Sequence, residues 1–202
     1  IFRYERPQSG RFRQHHQFGV EAIGDGDPIV DAEVIQLGWE FTKLLGLENL
    51  DLLLNTIGDS ECRPFYLKSL RDYYQQPVLE GLVCPDCEIR YERNVLRMLD
   101  CKRNDFSCQV LGDKAPASSE HLCEECKKHW GTLTKHLNSM QIPFQTSHRL
   151  VRGLDYYTRT VFEIQPRSER GAQNTILAGG RYDGLIQELG GVSTPGMGFG
   201  SG

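Results

Sequence analysis

At 202 residues, with 39% hydrophobic and 25% charged side chains, the chain can bury a core, which excludes a disordered type. No run approaches the ~20 apolar residues of a membrane span, and no basic-then-apolar leader is visible, so neither membrane insertion nor secretion is expected. The net charge of -4 gives no whole-chain basicity, so any contact with nucleic acid must come from local Arg and Lys clusters.

Residues 1–24 read as two strands around a polar loop, with the turn chemistry in Arg6-Pro7-Gln8-Ser9-Gly10. Strand side chains alternate between faces. On the second strand Phe18 and Val20 suit a packed face, whereas the opposite face carries His15, Gln17, Gly19 and Glu21. Gly19 removes a side chain where a ligand can approach, and Gln17 and Glu21 flank the gap, placed to hold an ammonium group. Arg3 and Arg11 suit phosphate oxygens, because guanidinium forks match them. The plain alternative is a solvated edge hairpin.

Asp27-Pro28 starts a helix, with Asp as N-cap and Pro in the first turn. Ile29, Val30, Val34, Leu37, Phe41, Leu44 and Leu45 keep helical spacing, and Gly46 closes it. Leu50–Ile57 is an apolar run that reads as a buried strand. Residues 58–146 are mostly helical and charged and hold all seven cysteines; Ser118 or Ser119 can cap a helix running to about Met140. The tail returns to strands at Tyr156–Gln165, Thr175–Ala178 and Thr194–Phe199, with a helix near Tyr182–Leu189. These segments predict an α+β fold, an antiparallel sheet with flanking helices. Its core is split into 1–57 and 147–202 by a helical insertion at 58–146. Both ends are abrupt, and the chain reads as a piece of something longer.

Among the cysteines, Cys84-Pro85-Asp86-Cys87 has zinc-knuckle spacing, and Cys123 and Cys126 share a helix face. The favoured ligand set for a structural Zn²⁺ is Cys84, Cys87, Cys123 and Cys126, with Cys101 or Cys108 as alternates. Reduced thiols in a small core are the other reading. Cys62 reads as a buried small hydrophobe, and cysteine usage of this kind points to a cytosolic setting.

Arg152-Gly153-Leu154-Asp155-Tyr156-Tyr157 places a cation on a glycine-adjacent turn before two tyrosines. If the strand begins at Tyr156, neighbouring side chains face opposite ways and only one hydroxyl enters a given pocket. Asp155 can hold Arg152 or orient a tyrosine. Ala178-Gly179-Gly180-Arg181-Tyr182 offers backbone that a flat ring can approach, with Tyr182 as a wall. Gly196, Gly198, Gly200 and Gly202 share one strand face and leave a flat floor suited to adenine.

Phe2 to Gln14 resembles motif 2 of class II aminoacyl-tRNA synthetases in its histidine-specific form. Arg149 to Glu163 and Ala178 to Leu185 resemble the two signature peptides of histidyl-tRNA synthetases, and Gly196 to Gly202 resembles the start of motif 3. The resemblance implies a histidine–tRNA ligase that forms histidyl-adenylate from histidine and ATP with Mg²⁺, then charges histidine tRNA. It implies that Arg3 binds the α-phosphate, Arg11 reaches the γ-phosphate, and Arg152 stabilises charge on the α-phosphate during attack. It puts His15 against adenine, where the family usually has Phe, and Gly198 and Gly200 beneath it. Gln17, Glu21, Arg152, Tyr156, Tyr157, Gly179 and Tyr182 are then the histidine site. The resemblance also implies a cytoplasmic homodimer, with motif 1 upstream and an anticodon-binding domain downstream. The rival family is the regulatory subunit of ATP phosphoribosyltransferase, a non-aminoacylating paralogue expected to lose the ATP clamp. A zinc-stapled RNA-binding module is a third reading, which leaves the signatures unexplained.

Overall fold

A computed structural model describes residues 1–4, 12–153, 156–167 and 175–202. Phe2 bridges Gln14, and Arg3 N–H donates to the Arg13 carbonyl at 2.8 Å, so the expected first hairpin is paired at its base. The loop residues Glu5 to Arg11, Arg11 among the expected phosphate ligands, lie outside the described residues, as do Leu154 and Asp155.

Strand β1 (Phe18–Ile23) leads to helix α1 (Pro28–Leu44). The Asp27 side chain accepts the Ile29 N–H at 2.9 Å, the expected cap, and Gly46 takes the left-handed conformation beyond the last turn (φ 77°). Strand β2 (Leu50–Thr56) follows. Next come α2 (Arg63–Leu79), α3 (Pro85–Arg93), α4 (Cys108–Lys114) and α5 (Glu124–Ser139). The short β3 (Gln145–Thr146) precedes β4 (Thr158–Pro166) and β5 (Leu177–Arg181). A one-turn α6 (Leu185–Glu188) and β6 (Gly196–Ser201) complete the order.

The expectation of one helix capped at Ser118 or Ser119 is corrected. Ser118–His121 is a separate 3₁₀ turn, and α5 starts at Glu124 with Cys123 as its N-cap. Leu122 and Cys123 are extended, and Glu124 and Glu125 then supply the acidic first turn that suits a helix N-terminus.

The six strands form one sheet in the order β1-β6-β5-β4-β2-β3, antiparallel except for β2 with β3. One face buries Leu52, Leu54, Phe162, Ile164, Leu177, Met197 and Phe199. Against it pack Ala32 and Ile35 of α1 and Leu133 and Leu137 of α5. This helix layer therefore leaves the other face of β1, β6 and β5 for ligands. A second buried cluster joins α2, α3 and α4 through Tyr66, Leu70, Cys84, Cys87, Met98 and Cys108, and it includes Val151.

Candidate active site

In β1 and β6, Gly19 stands opposite Gly200 and Glu21 opposite Gly198. A Cβ added at Gly198 would lie 1.7 Å from Glu21 Oε2, and one at Gly200 would lie 2.7 Å from Gln17 Nε2. A Cβ at Gly196 would meet the Tyr182 ring at 2.3 Å. The glycines therefore do not leave a bare floor for adenine; they seat Gln17, Glu21 and Tyr182. The Tyr182 hydroxyl donates to the Glu21 carboxylate. Burial and this carboxylate push its pKa above the ordinary tyrosine range, so it remains a donor. Around these groups lies a cavity of about 590 Å³, lined also by Gly19, Ala178, Arg152, Tyr156 and Tyr157.

Both tyrosines line that cavity because the strand begins at Thr158, not Tyr156. Tyr156 sits in a turn, its ring 4.7 Å from that of Tyr157 and tilted by 39°, so the alternation expected of strand neighbours does not apply. Burial, then the neighbouring Tyr157, pushes the Tyr156 pKa up to about 12. Gly179 departs from expectation too. Its Cβ position is filled from the packed face by Gly198 O at 2.1 Å and Phe162 Cε1 at 2.8 Å. Leu177, Gly179 and Arg181 point into the helix layer, and it is Ala178 that borders the cavity.

Arg152 ion-pairs with Glu163 and lies 6.0 Å from the Tyr157 ring centroid. Its Nε is buried with no hydrogen-bond partner among the described residues. Arg152 also borders a second cavity of about 930 Å³ that holds Arg3, His15, Arg97, Lys102 and Arg149. Arg3 Nε donates to the Phe12 carbonyl at 2.8 Å, which holds the hairpin arm over this basic cavity. The imidazole of His15 is kept below its usual pKa by desolvation and then by the Arg3 charge. Gly198 and Gly200, expected under adenine, line the first cavity. The register of β1 on β6 is the reason, since it sets Glu21 and Gly19 across from them.

Behind the sheet stands a polar network that periodicity does not reveal. Arg181 and Asp31 are both 0% exposed, and Arg181 Nε donates to Asp31 Oδ1 at 2.9 Å. The same carboxylate meets His129 Nε2 at 2.8 Å and accepts from Thr160 Oγ1 at 2.5 Å. Burial alone would raise the Asp31 pKa, but hydrogen bonds from His129 and Arg181 and the Arg181 charge outweigh it and leave it lowered. Arg181 Nη1 also reaches Asp183 at 2.9 Å, and the Asp183 N–H donates to Thr158 Oγ1 at 3.1 Å. The network ties the start of β4 and the residues flanking Tyr182 to α1 and α5.

The family model for histidyl-tRNA synthetase matches residues 1–201. The chain belongs to this family. Histidine–tRNA ligases of Dehalococcoides mccartyi are 56% identical over 202 residues, covering 100% of this chain and 47% of theirs. The corresponding protein of Desulfitobacterium hafniense is 50% identical over 202 residues, covering 46% of its length. The chain thus spans about half the length of the curated relatives it matches. An apo histidyl-tRNA synthetase structure from S. aureus superposes with a TM-score of 0.73 at 36% identity, covering 100% of this chain and 46% of that one. A Bacillus halodurans structure titled ATP phosphoribosyltransferase regulatory subunit/histidyl-tRNA synthetase matches at 21% identity and TM-score 0.56 over 92% of this chain and 50% of that one, which shows the shared fold alone.

The cysteines regroup in the structure. Sγ atoms of Cys84, Cys87, Cys101 and Cys108 all lie within 4.8 Å of one another. Cys123 and Cys126 gather instead with Cys62 and Asp59. The expected quartet of Cys84, Cys87, Cys123 and Cys126 is therefore corrected. The first two belong to the α2–α4 cluster, whereas the last two sit at the N-terminus of α5 beside the end of β2. Cys62 is not isolated, for Asp59 Oδ1 lies 3.5 Å from its Sγ. Cys126 Sγ donates to Asp59 Oδ2 at 3.0 Å, and Arg159, in the left-handed conformation (φ 51°), reaches that oxygen at 3.4 Å. Asp59 carried no sequence signal, since only folding brings it to the cysteines.

Proposed function

We propose that the chain is the adenylate-forming part of a histidine–tRNA ligase. The observation that carries this reading is the first cavity. A carboxylate (Glu21) fixed by Tyr182 and an amide (Gln17) stand on one side, and a guanidinium with an unpartnered donor (Arg152) stands where a second, basic cavity opens. An amino acid has an ammonium and a carboxylate to match those two ends. The carboxylate end then points toward the cavity that suits a triphosphate, where Arg3 lies.

In this reading histidine binds with its ammonium on Glu21 and Gln17 and its ring among Tyr156, Tyr157 and Tyr182. Its carboxylate attacks the α-phosphorus of ATP, brought as the Mg²⁺ complex, and pyrophosphate leaves. Arg152 and Arg3 neutralise negative charge that grows at the α-phosphate, and Arg11 binds the γ-phosphate. His15 lies against the adenine. The histidyl group then passes to the terminal ribose of histidine tRNA.

In this proposal residues 1–57 and 147–202 carry the ligand-facing part of the sheet core; α5 and β3, expected within the insertion at 58–146, join that core, and the α2–α4 cluster is the helical segment between. In this proposal the complete protein is a cytoplasmic homodimer. Among the described residues no helix is long and apolar enough to cross a membrane. Against the regulatory-paralogue reading stand Arg3 and Arg152 themselves. The test is ATP–pyrophosphate exchange by the protein that carries this chain, followed by charging of tRNA. Exchange that requires histidine supports the proposal, and a folded protein without exchange supports the paralogue.

A further inference from the structure

The four thiols of Cys84, Cys87, Cys101 and Cys108 have no part in the amino-acid or triphosphate cavity. They are 0%, 1%, 2% and 2% exposed, and nothing in the proposed reaction uses them. Their spacing is not that of a disulfide. Cys84 Sγ and Cys101 Sγ are 3.7 Å apart, whereas bonded sulfurs lie at about 2.05 Å. Four sulfurs around a zinc ion at ~2.3 Å are about 3.8 Å from one another by simple tetrahedral geometry.

Donors from the surrounding chain reach two of the sulfurs. The Cys84 N–H donates to Cys108 Sγ at 3.2 Å, and Arg90 Nη1 lies 4.0 Å from Cys87 Sγ. Cys84-Pro85-Asp86-Cys87 turns into α3 with the Cys87 N–H on the Cys84 carbonyl at 2.8 Å, so both sulfurs leave one tight turn. Val83, Val95, Met98 and Leu99 pack around them and exclude water. We infer that Cys84, Cys87, Cys101 and Cys108 hold one Zn²⁺ ion in a closed, four-sulfur structural site. The thiol protons pass to solvent as the ion binds, and no oxidation is involved.

The site has a consequence for the active site. The guanidinium of Arg149 donates to the carbonyls of Leu99 (3.1 Å) and Cys101 (3.1 Å), and Val151 packs in the same cluster. The metal-held loop is thus the seat of the segment that delivers Arg152. The Asp59, Cys62, Cys123 and Cys126 group is the weaker candidate, because Arg159 already shares the carboxylate and Cys123 is part-exposed.

The experiment is elemental analysis of the protein purified from zinc-containing medium without chelator, with Cys101→Ser and Cys123→Ser alongside. The expected result is about one equivalent of zinc in the wild type and in Cys123→Ser, with less than half an equivalent in Cys101→Ser. Cobalt substitution of the wild type serves as a second readout that needs no variant to fold. It should give the sulfur-to-cobalt charge-transfer bands and tetrahedral ligand-field intensity of four thiolates. Wild-type protein with less than half an equivalent overturns the inference. So does zinc kept by Cys101→Ser and lost by Cys123→Ser, or a cobalt spectrum of mixed oxygen and sulfur ligation.

Discussion

Glu21 and Gly198 face each other across β1 and β6, and the carboxylate occupies the space that a side chain at 198 would need. The glycine sets how deep the carboxylate sits, and Tyr182, just past the end of β5, then fixes it through its hydroxyl. Glu21→Gln removes the negative charge offered to the substrate ammonium. The expected effect is a rise in the histidine KM of roughly 10- to 100-fold, from the ~1.5–3 kcal/mol of a charge-assisted hydrogen bond, with ATP KM little changed. Steady-state exchange kinetics at varied histidine check it.

Two glycines predict opposite outcomes for the same substitution. Gly200→Ala pushes on the Gln17 amide at 2.7 Å, the end of a flexible side chain, so the protein should fold and bind histidine poorly. Gly179→Ala drives a methyl into the Gly198 carbonyl at 2.1 Å, which is backbone, so the sheet itself must shift. Its loss should appear as lowered stability in thermal or urea unfolding, before any kinetic measurement.

The buried pair of Asp31 and Arg181 is a stability prediction. Asp31→Asn leaves a buried guanidinium with only Asp183 as an ionised partner and should cost roughly 3–5 kcal/mol, read by urea unfolding at neutral pH. The folded-state pKa of Asp31 lies below its ordinary 3.8. Its contribution is therefore present above that value and lost as pH falls through the lower, folded value. The stability gap between wild type and Asp31→Asn should accordingly be widest at neutral pH and narrow below about 3.8. A gap that stays constant into acid contradicts the assignment.

Much of this arrangement is legible locally, and the remainder is not for identifiable reasons. Asp27-Pro28 marks the start of α1 because a cap needs only its own turn, and the parity of Phe18 and Val20 against Gln17, Gly19 and Glu21 follows from strand alternation alone. The tyrosine pair misleads because the strand starts two residues later than the aromatic run suggests, at Thr158. The cysteines mislead because matching one CxxC to the other ignores which helix cluster each belongs to. Asp31 and Arg181 are 150 positions apart, so no window of sequence joins them. Glu163 lies within the recognised signature, yet its role as the partner of Arg152 appears only when β4 is laid beside that turn.

Arg152 is expected to act on rate more than on affinity. Arg152→Gln keeps a hydrogen-bonding side chain but removes the charge that meets the developing negative charge at the α-phosphate. A loss of roughly 100- to 1,000-fold in kcat is expected, with a smaller change in the histidine KM. If KM alone rises, Arg152 is a binding group and the proposed role is wrong.

The most direct measurement of the central claim is ATP–pyrophosphate exchange by the protein that carries this chain, run across a panel of amino acids. Exchange with histidine and with no other amino acid, cut sharply by Glu21→Gln and by Arg152→Gln in folded protein, is the predicted result. Exchange that is absent in folded wild-type protein, or that proceeds equally with other amino acids, contradicts it.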